Sequence, residues 1–587
     1  MPRFPSAASP DTAMNLKQEL DAIISASLSK VSGQQDCSAL INYAREEKFG
    51  DYQANGVMGI AKKQKQNPRK LGEAVIKTLD LGAMAEKVEL AGPGFINIFL
   101  SREYLADQLN ALLQKDRLVE KTTSAETVVV DYSSPNLAKE MHVGHLRGTI
   151  IGDALARIFD YLGHQVIRQN HFGDWGTQFG MLITWMQAID SKSDLQEGLA
   201  DLEVFYRHAK EKFDSDPEFA KTSRDNVVKL QKGDTECLAL WQKFIDVSVA
   251  HCQELYEKLG ITLVPGDMRA ESFYNDKLQP ILEQLDQAGL LSTSEGAQCV
   301  FLDEFKTKDG SPLPVIVQKS DGGFLYATTD LAAIQYRSQT LHADRVLYVV
   351  DARQSLHFQQ VFRVAELAGL KTPHCSLEHL SYGTMMGSDG KPFKTRSGGT
   401  VKLMDLMAEG VSRAYDLVSD KNPDLGEAER RAIADVVGIA AIKYFELSKN
   451  RNSDYIFDWN TMLSFDGNTA PYLLYAYARI RSIFRREEAA GEDSFTIAVE
   501  TPEEKRLALK LLQFSETISQ VADDCFPNQL CLYLYELAGT YMRFYEACPV
   551  LKAEPAIRNS RLGLCELTAR TIKQGLALLG IETLEKM

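Results

Sequence analysis

The chain has 587 residues, 44% hydrophobic and 25% charged, with 65 Lys+Arg against 80 Asp+Glu and a formal net charge of −15. That length exceeds the roughly 250 to 300 residues served by one hydrophobic core, so several units are expected, and no run of about 18 apolar residues marks a membrane span. The negative balance argues against indiscriminate nucleic-acid binding, because phosphate affinity comes from Lys and Arg that release condensed counterions, while leaving room for local basic tracks.

In chain order, residues 1–13 read as a disordered extension, and Met14 opens the helix-like "MNLKQELDAIISASLSKV". Residues 14–118 are expected to form a small α+β domain, in which "ELAGPGFINIFLS" is a turn followed by a short strand. The run "AKKQKQNPRK" (61–70) carries five basic residues and no acidic one, which on its own reads as a solvated helix face. After the polar link "EKTTSAE", the β-branched "TVVVDYS" has the character of a buried parallel strand. A helix follows, with Leu146, Ile150, Ala154, Ile158, Tyr161 and Leu162 at helical spacing and a stop at Gly163, and then the strand-like "QVIRQNH". Strand, helix and strand within about forty residues form a βαβ unit, whose ligands bind beyond the carboxyl ends of the strands. Residues 190–265 are charged and helical, an insertion in a core spanning 119–404. The sheet pattern resumes in "RVLYVVD" (345–351) and "EHLSYGTMMG" (378–387), and 405–587 reads as a bundle of amphipathic helices that includes a second basic run, "RIRSIFRR" (479–486). The fold class expected is multidomain α/β.

The nine cysteines are scattered, without a CxxC pair or a Cys/His cluster, so neither a disulfide framework nor a zinc site is indicated and a reducing cytoplasm fits best. The chemistry concentrates in "DYSSPNLAKEMHVGHLRGTIIGD", where His142, Gly144 and His145 stand at the entrance of the predicted helix. A helix N-terminus presents unpaired N–H groups and a partial positive charge that attract phosphate, flanking imidazoles add donors, and a glycine lets a nucleotide approach the backbone. Alone, HxGH serves equally well as capping or core histidines, and without HExxH or a third ligand a zinc reading is weaker.

The wider string, with "NHFGDWGTQFG" after it, resembles the HIGH signature of class I aminoacyl-tRNA synthetases and the arginyl-tRNA synthetases in particular; "GKPFKTRSGGT" resembles their KMSKS-type lysine loop. "FGDYQANG" and "AGPGFINIFL" near the start, "FDWNTMLSFDGNTAPYLLYAYARIRS" later and "TARTIKQGLALLGIETLEKM" at the end extend the likeness over nearly the whole chain. The resemblance implies a Rossmann-like catalytic core, an N-terminal tRNA-contacting domain, a C-terminal all-α anticodon-binding bundle, and ATP-dependent ligation of L-arginine to its tRNA through an arginyl-adenylate, with activation requiring bound tRNA.

It further implies that His142, His145, Lys391 and Lys394 act on ATP, carried with Mg²⁺ and approaching Gly144, with Lys139 an alternative to Lys394. Such cations stabilise the charge that builds on departing pyrophosphate, and Gly398 and Gly399 suit a loop that closes and reopens. Asp131 would hold the α-amino group, with Ser133 also in the arginine site; Asn136 and His142 would lie near the carboxylate, and Gln354 would complete the site. Tyr326 and Asp330 would grip the guanidinium; at i, i+4 on a helix both face one pocket, and a carboxylate accepting two parallel N–H bonds excludes lysine without an editing domain. For the tRNA, Tyr472, Tyr475, Arg479 and Met587 match anticodon-loop positions, and Asn55, Lys62 and Lys63, with Lys65 and Arg69, match contacts at the tRNA corner, whereas Tyr477 reads as helix core. A cytoplasmic monomer without a membrane role is expected. The rival readings are a small-molecule nucleotidyltransferase, which has no need of the long helical segment, and a non-catalytic RNA-binding relative, against which His142, His145, Lys394, Tyr326 and Asp330 all occur together.

Overall fold

The structure, a computed structural model, describes residues 15–189, 201–394, 401–486 and 494–587. The expected extension at 1–13, the start of the insertion and the loop glycines Gly398 and Gly399 lie outside the described residues. The chain divides into two compact units, one from Met1–Ser124, Ser464–Leu578 and Glu582–Met587, the other from Ala125–Leu463 and Leu579–Ile581.

The first unit begins with α1 (Leu16–Ser32), opened by a reciprocal cap in which Asn15 Oδ1 accepts the Gln18 amide at 2.9 Å and Gln18 Oε1 accepts the Asn15 amide at 3.1 Å. Strands β1 (Ile41–Tyr43) and β2 (Tyr52–Ala54), helices α2 (Gly56–Gln64) and α3 (Pro68–Thr78), strands β3 (Ala85–Ala91) and β4 (Phe95–Leu100) and helix α4 (Arg102–Leu113) follow. The strands form an antiparallel sheet in the order β1-β2-β4-β3, with α3 packed over it. Lys62 and Lys63 lie exposed in the last turn of α2, where cations complement the helix dipole, and Lys65 leaves the helix at φ 54°.

The second unit is built on β5 (Thr127–Asp131), α5 (Val143–Tyr161) and β6 (Gln165–Gln169), the βαβ unit expected from the sequence. Val128, Val129 and Val130 are all buried, as a strand covered on both faces requires. Helix α5 lies close to its neighbours because glycines recur at every fourth position: a Cβ on Gly148 would stand 2.8 Å from the Tyr382 hydroxyl, and one on Gly152 2.2 Å from Tyr132 Cβ. Helix α6 (Thr177–Gln187) leads to the insertion, of which α7 (Leu202–Ser215), α8 (Pro217–Gln231) and α9 (Thr235–Leu259) are described. Then come α10 (Leu278–Gln287), an antiparallel sheet of β7 (Leu291–Ser294), β8 (Ala297–Val300) and β9 (Val315–Gln318), α11 (Tyr326–Gln335), β10 (Arg345–Tyr348), α12 (Ser355–Leu367) and β11 (Ser376–His379). The core sheet is parallel, ordered β11-β10-β5-β6, and buries Val346, Tyr348, Leu331, Ile334, Val361 and Val364 with Val129.

The segment 378–387, expected as one strand, is broken. Only its first two residues belong to β11; β12 (Met385–Met386) pairs elsewhere, with β13 (Tyr455–Ile456). Between them the Gly383 amide bonds to the Arg451 carbonyl at 2.8 Å, and the backbone of Ser453 lies where a Cβ of residue 383 would be. Helices α13 (Leu403–Lys421) and α14 (Glu427–Leu447), read from sequence as part of the terminal bundle, lie in this second unit.

The remaining helices, α15 (Ala470–Phe484), α16 (Pro502–Asp524), α17 (Asn528–Ala547) and α18 (Pro555–Leu578), belong to the first unit, where α16 packs on α17, and α15 and α17 on α18. Glu516 of α16 is buried and accepts from Tyr43 Oη at 2.7 Å, Tyr52 Oη at 2.6 Å and the Lys17 amide at 3.1 Å, joining the amino-terminal sheet to the bundle. Among the described residues, no helix is long and apolar enough to cross a membrane.

Candidate active site

His142 is the N-cap of α5, in extended conformation, and its Nδ1 accepts the Gly144 amide at 3.0 Å. His145 reaches back, its Nδ1 accepting the His142 amide at 3.1 Å, so the two imidazoles stand 4.1 Å apart and cap the helix reciprocally. Burial pushes His145 down to about 3, with His142 adding to the effect, and burial also lowers His142. Both rings are therefore neutral near pH 7, and since each Nδ1 accepts a hydrogen bond, each carries its proton on Nε2 as a free donor. Gly144 leaves room for the capping ring: a Cβ there would meet His142 Cε1 at 2.8 Å and Nδ1 at 2.9 Å.

Beyond the end of β5, Ser133 and Ser134 both adopt positive φ, 72° and 45°, a conformation that non-glycine residues hold only under constraint. The constraint is a polar network. Ser133 Oγ lies 2.7 Å from the Tyr256 hydroxyl and accepts from Thr149 Oγ1 at 2.8 Å, the Ser134 amide donates to Asn170 Oδ1 at 2.9 Å, and Asn170 Nδ2 donates to Tyr256 at 2.9 Å. Asp131 is buried, accepts from Ser134 Oγ at 3.0 Å and forms an ion pair with the buried Arg337 at 2.8 Å. Asn136 is exposed and caps the next turn, Oδ1 accepting the Ala138 amide at 2.9 Å.

Lys139 is exposed, its ammonium 4.5 Å above the Tyr206 ring of α7, and together with Arg353 it opposes protonation of His142. The lysine loop is described on either side of residues 395–400. Lys391 and Lys394 are exposed on the way in, and on the way out the Val143 amide donates to Val401 O at 3.1 Å and the Leu403 amide to Met141 O at 3.1 Å, so the loop leaves directly against the HxGH turn.

The expected guanidinium pair sits at the start of α11. Tyr326, 63% exposed, meets the His357 ring edge-on at 4.8 Å, and His357 Nε2 lies 2.6 Å from Asp330 Oδ2, so the i, i+4 pair does present one face. Asp330 Oδ1 is 4.0 Å from His171 Nε2, and Gln354 is exposed in the short helix Ala352–Gln354. Sequence reasoning missed His357, Asp174 and Glu271. Glu271 is pushed up to about 8 by burial and by the charges of Asp174 and Asp330; Asp174, raised by burial, accepts from the Ser272 amide at 2.9 Å and Ser272 Oγ at 2.5 Å. Clustered acids of raised proton affinity favour a cation beside them. This acidic slot is connected to the histidine turn: the His171 amide donates to Ser134 Oγ, the Ser134 amide is linked through Asn170 and Tyr256 to Ser133 Oγ, and Thr149 Oγ1 joins Ser133 Oγ to the His145 carbonyl at 2.8 Å.

In the first unit, Tyr472 is half-buried with Tyr535 at 5.6 Å, Tyr475 is exposed, and Arg479 lies 5.4 Å over Tyr545, which stacks on Tyr541. Tyr535 and Tyr545 of α17 thus extend the aromatic face named from sequence. Tyr477 is buried and donates to Glu585, as core, and Met587 is partly exposed. Asn55 precedes α2 without capping it through its side chain.

A parallel sheet with an HxGH turn after its first strand, an acidic slot beside it and a lysine loop returning to it defines a class I aminoacyl-tRNA synthetase core, and the family model described as tRNA synthetases class I (R), catalytic domain, matches residues 108–459. The arginyl tRNA synthetase N terminal domain matches 18–100 and the DALR anticodon binding domain 473–587. The chain is 55% identical over 581 residues to an arginine–tRNA ligase of Marinomonas sp., covering 98% of this chain and 100% of the relative, and 54% identical over 574 residues to that of Chromobacterium violaceum, with the same coverage. It is similar to the crystal structure of arginyl-tRNA synthetase from Plasmodium falciparum (TM-score 0.84, 32% identity, 97% and 99% of the two chains) and to that of Thermus thermophilus (0.82, 25%, 97% and 100%). The chain belongs to the arginyl-tRNA synthetase family and is a ligase that aminoacylates tRNA with arginine.

Proposed function

We propose that the ligation runs in two steps on the second unit. The carboxylate oxygen of arginine attacks the α-phosphorus of ATP·Mg²⁺, the bond to pyrophosphate breaks, and an arginyl-adenylate remains. The 2′-hydroxyl of the terminal adenosine of the tRNA then attacks the arginyl carbonyl carbon, its proton is released, and AMP departs with the bonding electrons. The observation that supports this reading is the link from the acidic slot to the HxGH turn: His171, 4.0 Å from Asp330, gives its amide to Ser134 Oγ, and from the Ser134 amide hydrogen bonds run through Asn170, Tyr256, Ser133 and Thr149 to the His145 carbonyl.

In this reading Tyr326, Asp330 and Glu271 take the guanidinium, while Asp131, Ser133, Asn136 and Gln354 take the other end of arginine. His142 and His145 donate from Nε2 to the phosphates, neutral donors that need not lose a proton to serve, and Lys139, Lys391 and Lys394 offset the charge on pyrophosphate. Lysine as a substrate would leave the slot's paired acceptors unsatisfied, the strongest ground for rejection that binding offers. Tyr472, Tyr475, Arg479, Tyr535, Tyr545 and Met587 suit unstacked anticodon bases, and Asn55, Lys62 and Lys63 the tRNA corner.

Pyrophosphate exchange tests the first step, and transfer of labelled arginine to the tRNA tests the second. Exchange is expected to require arginine together with its tRNA; equal exchange with lysine would overturn the slot assignment, and full exchange without RNA would overturn the dependence of activation on tRNA.

A further inference from the structure

We propose that His357 is the positioning residue that sets arginine selectivity, by fixing the plane of the Asp330 carboxylate and backing the Tyr326 ring. The inference rests on the reading that Tyr326 and Asp330 take the guanidinium, and it deepens that reading. A guanidinium is planar and is held best when both carboxylate oxygens lie in its own plane. An aspartate does not hold such a plane unaided, because its terminal torsion is broad and nearly two-fold. Asp330 therefore needs an anchor that leaves one edge of the carboxylate free.

The geometry supplies it. Among the described residues, the basic groups within ion-pair distance of Asp330 are two imidazoles, His357 at 2.6 Å from Oδ2 and His171 at 4.0 Å from Oδ1. His357 comes from α12, a separate helix from that of Asp330, so its hydrogen bond ties the carboxylate to a second element and stops its rotation. One Nε2–H donation occupies one lone pair, leaving Oδ1 and the remaining lone pair of Oδ2 for two parallel N–H donors. The same ring stands edge-on to Tyr326, whose 63% exposure leaves few other contacts to hold it. An imidazole also suits the position better than the other polar side chains. A lysine or arginine would fill the slot with its own charge, and a carboxylate would add to Asp330 and Glu271 and repel them.

The test uses full-length enzyme carrying His357→Ala, His357→Gln or His357→Asn, with arginine affinity read by calorimetry and charging of tRNA with arginine measured in parallel. His357→Ala is expected to weaken arginine by about 10- to 100-fold, the effect of losing a hydrogen bond to a charged group, while the KM for ATP stays within about twofold. An amide variant that still donates N–H to Asp330 is expected to recover much of the loss, which a residue needed only for folding would not show. Unchanged arginine affinity in His357→Ala, or a matching rise in the KM for ATP, would overturn the proposal. Wild-type enzyme that binds arginine yet forms no adenylate even with its tRNA and ATP present would instead count against the two-step reading, while the binding data would still judge His357.

Discussion

Burial and the charges of Asp174 and Asp330 push the Glu271 carboxyl up to about 8, so near pH 7 the empty slot holds it mostly protonated. An entering guanidinium is positive at any accessible pH and reverses the balance, favouring the carboxylate. The free enzyme then binds more protons than the complex, and by linkage arginine affinity must rise as pH climbs toward about 8 and level off above it. Calorimetric titration of arginine at pH 7 in buffers of differing ionisation enthalpy should reveal release of up to about one proton, and Glu271→Gln should abolish it. Heats independent of buffer would show that Glu271 gives up no proton when arginine binds. The histidine turn behaves oppositely: with His145 down at about 3, its protonation has no part in activity between pH 5 and 9. The place of His142 and His145 at a helix start was legible in the sequence because it rests on a local spacing. Glu271 and His357 were not, since each acquires its role from Asp330, which lies 59 and 27 positions away in the chain and meets them only through the fold.

Helix α5 shows what the same limit means for an element. Its apolar periodicity and the β-branched strand before it were readable, because a strand buried on both faces needs Val128 to Val130 whatever its neighbours are. The reason for its glycines was not readable, nor was the break at Gly383, because both depend on backbone and side chains that arrive from distant segments, Tyr132, Tyr382 and Ser453. The helix is also pinned from α14: Arg147, fully buried, donates from Nε to Glu446 at 2.5 Å and from Nη1 to Ser453 O at 2.9 Å, and Tyr455 completes Glu446 at 2.6 Å. Two helical glycines therefore carry opposite expectations. Gly152→Ala would bring its Cβ within 2.2 Å of Tyr132 and should destabilise the catalytic unit by about 1 to 3 kcal/mol or more, as overpacking does. Gly59→Ala, in α2 with open space around it, should stabilise the other unit by about 0.4 to 1 kcal/mol by narrowing the unfolded ensemble. Thermal unfolding of both variants decides the matter, and shifts of the same sign would refute the steric account.

At the scale of the whole chain, residues far apart in sequence close each unit by burying charge rather than by apolar contact alone. In the first, Glu516 gathers Tyr43, Tyr52 and the Lys17 backbone. In the second, Lys443 of α14 donates to Leu259 O and Gly580 O, both at 2.6 Å, and so brings the short tail Leu579–Ile581 into the catalytic unit. Gly580 has φ 68°, and a Cβ there would meet the Lys443 ammonium at 2.6 Å, so the tail fits only with glycine at this point. Burial lowers the lysine to about 8 from 10.5, against the opposing pull of Asp153. The folded state thus gives up this proton at lower pH than the unfolded chain does. Below about 8 both states hold it and the contribution is constant; from about 8 to 10.5 the unfolded chain binds more protons, so stability rises with pH. At about 1.4 kcal/mol per pH unit the rise totals about 3 kcal/mol. Lys443→Met removes the titrating group and leaves two carbonyls without their donor. It should unfold more easily than wild type at pH 7.5, and its deficit should widen as the pH approaches 10.5. Paired urea titrations across that range measure the difference, and a deficit that stays constant with pH would mean that Lys443 keeps its proton in the folded protein.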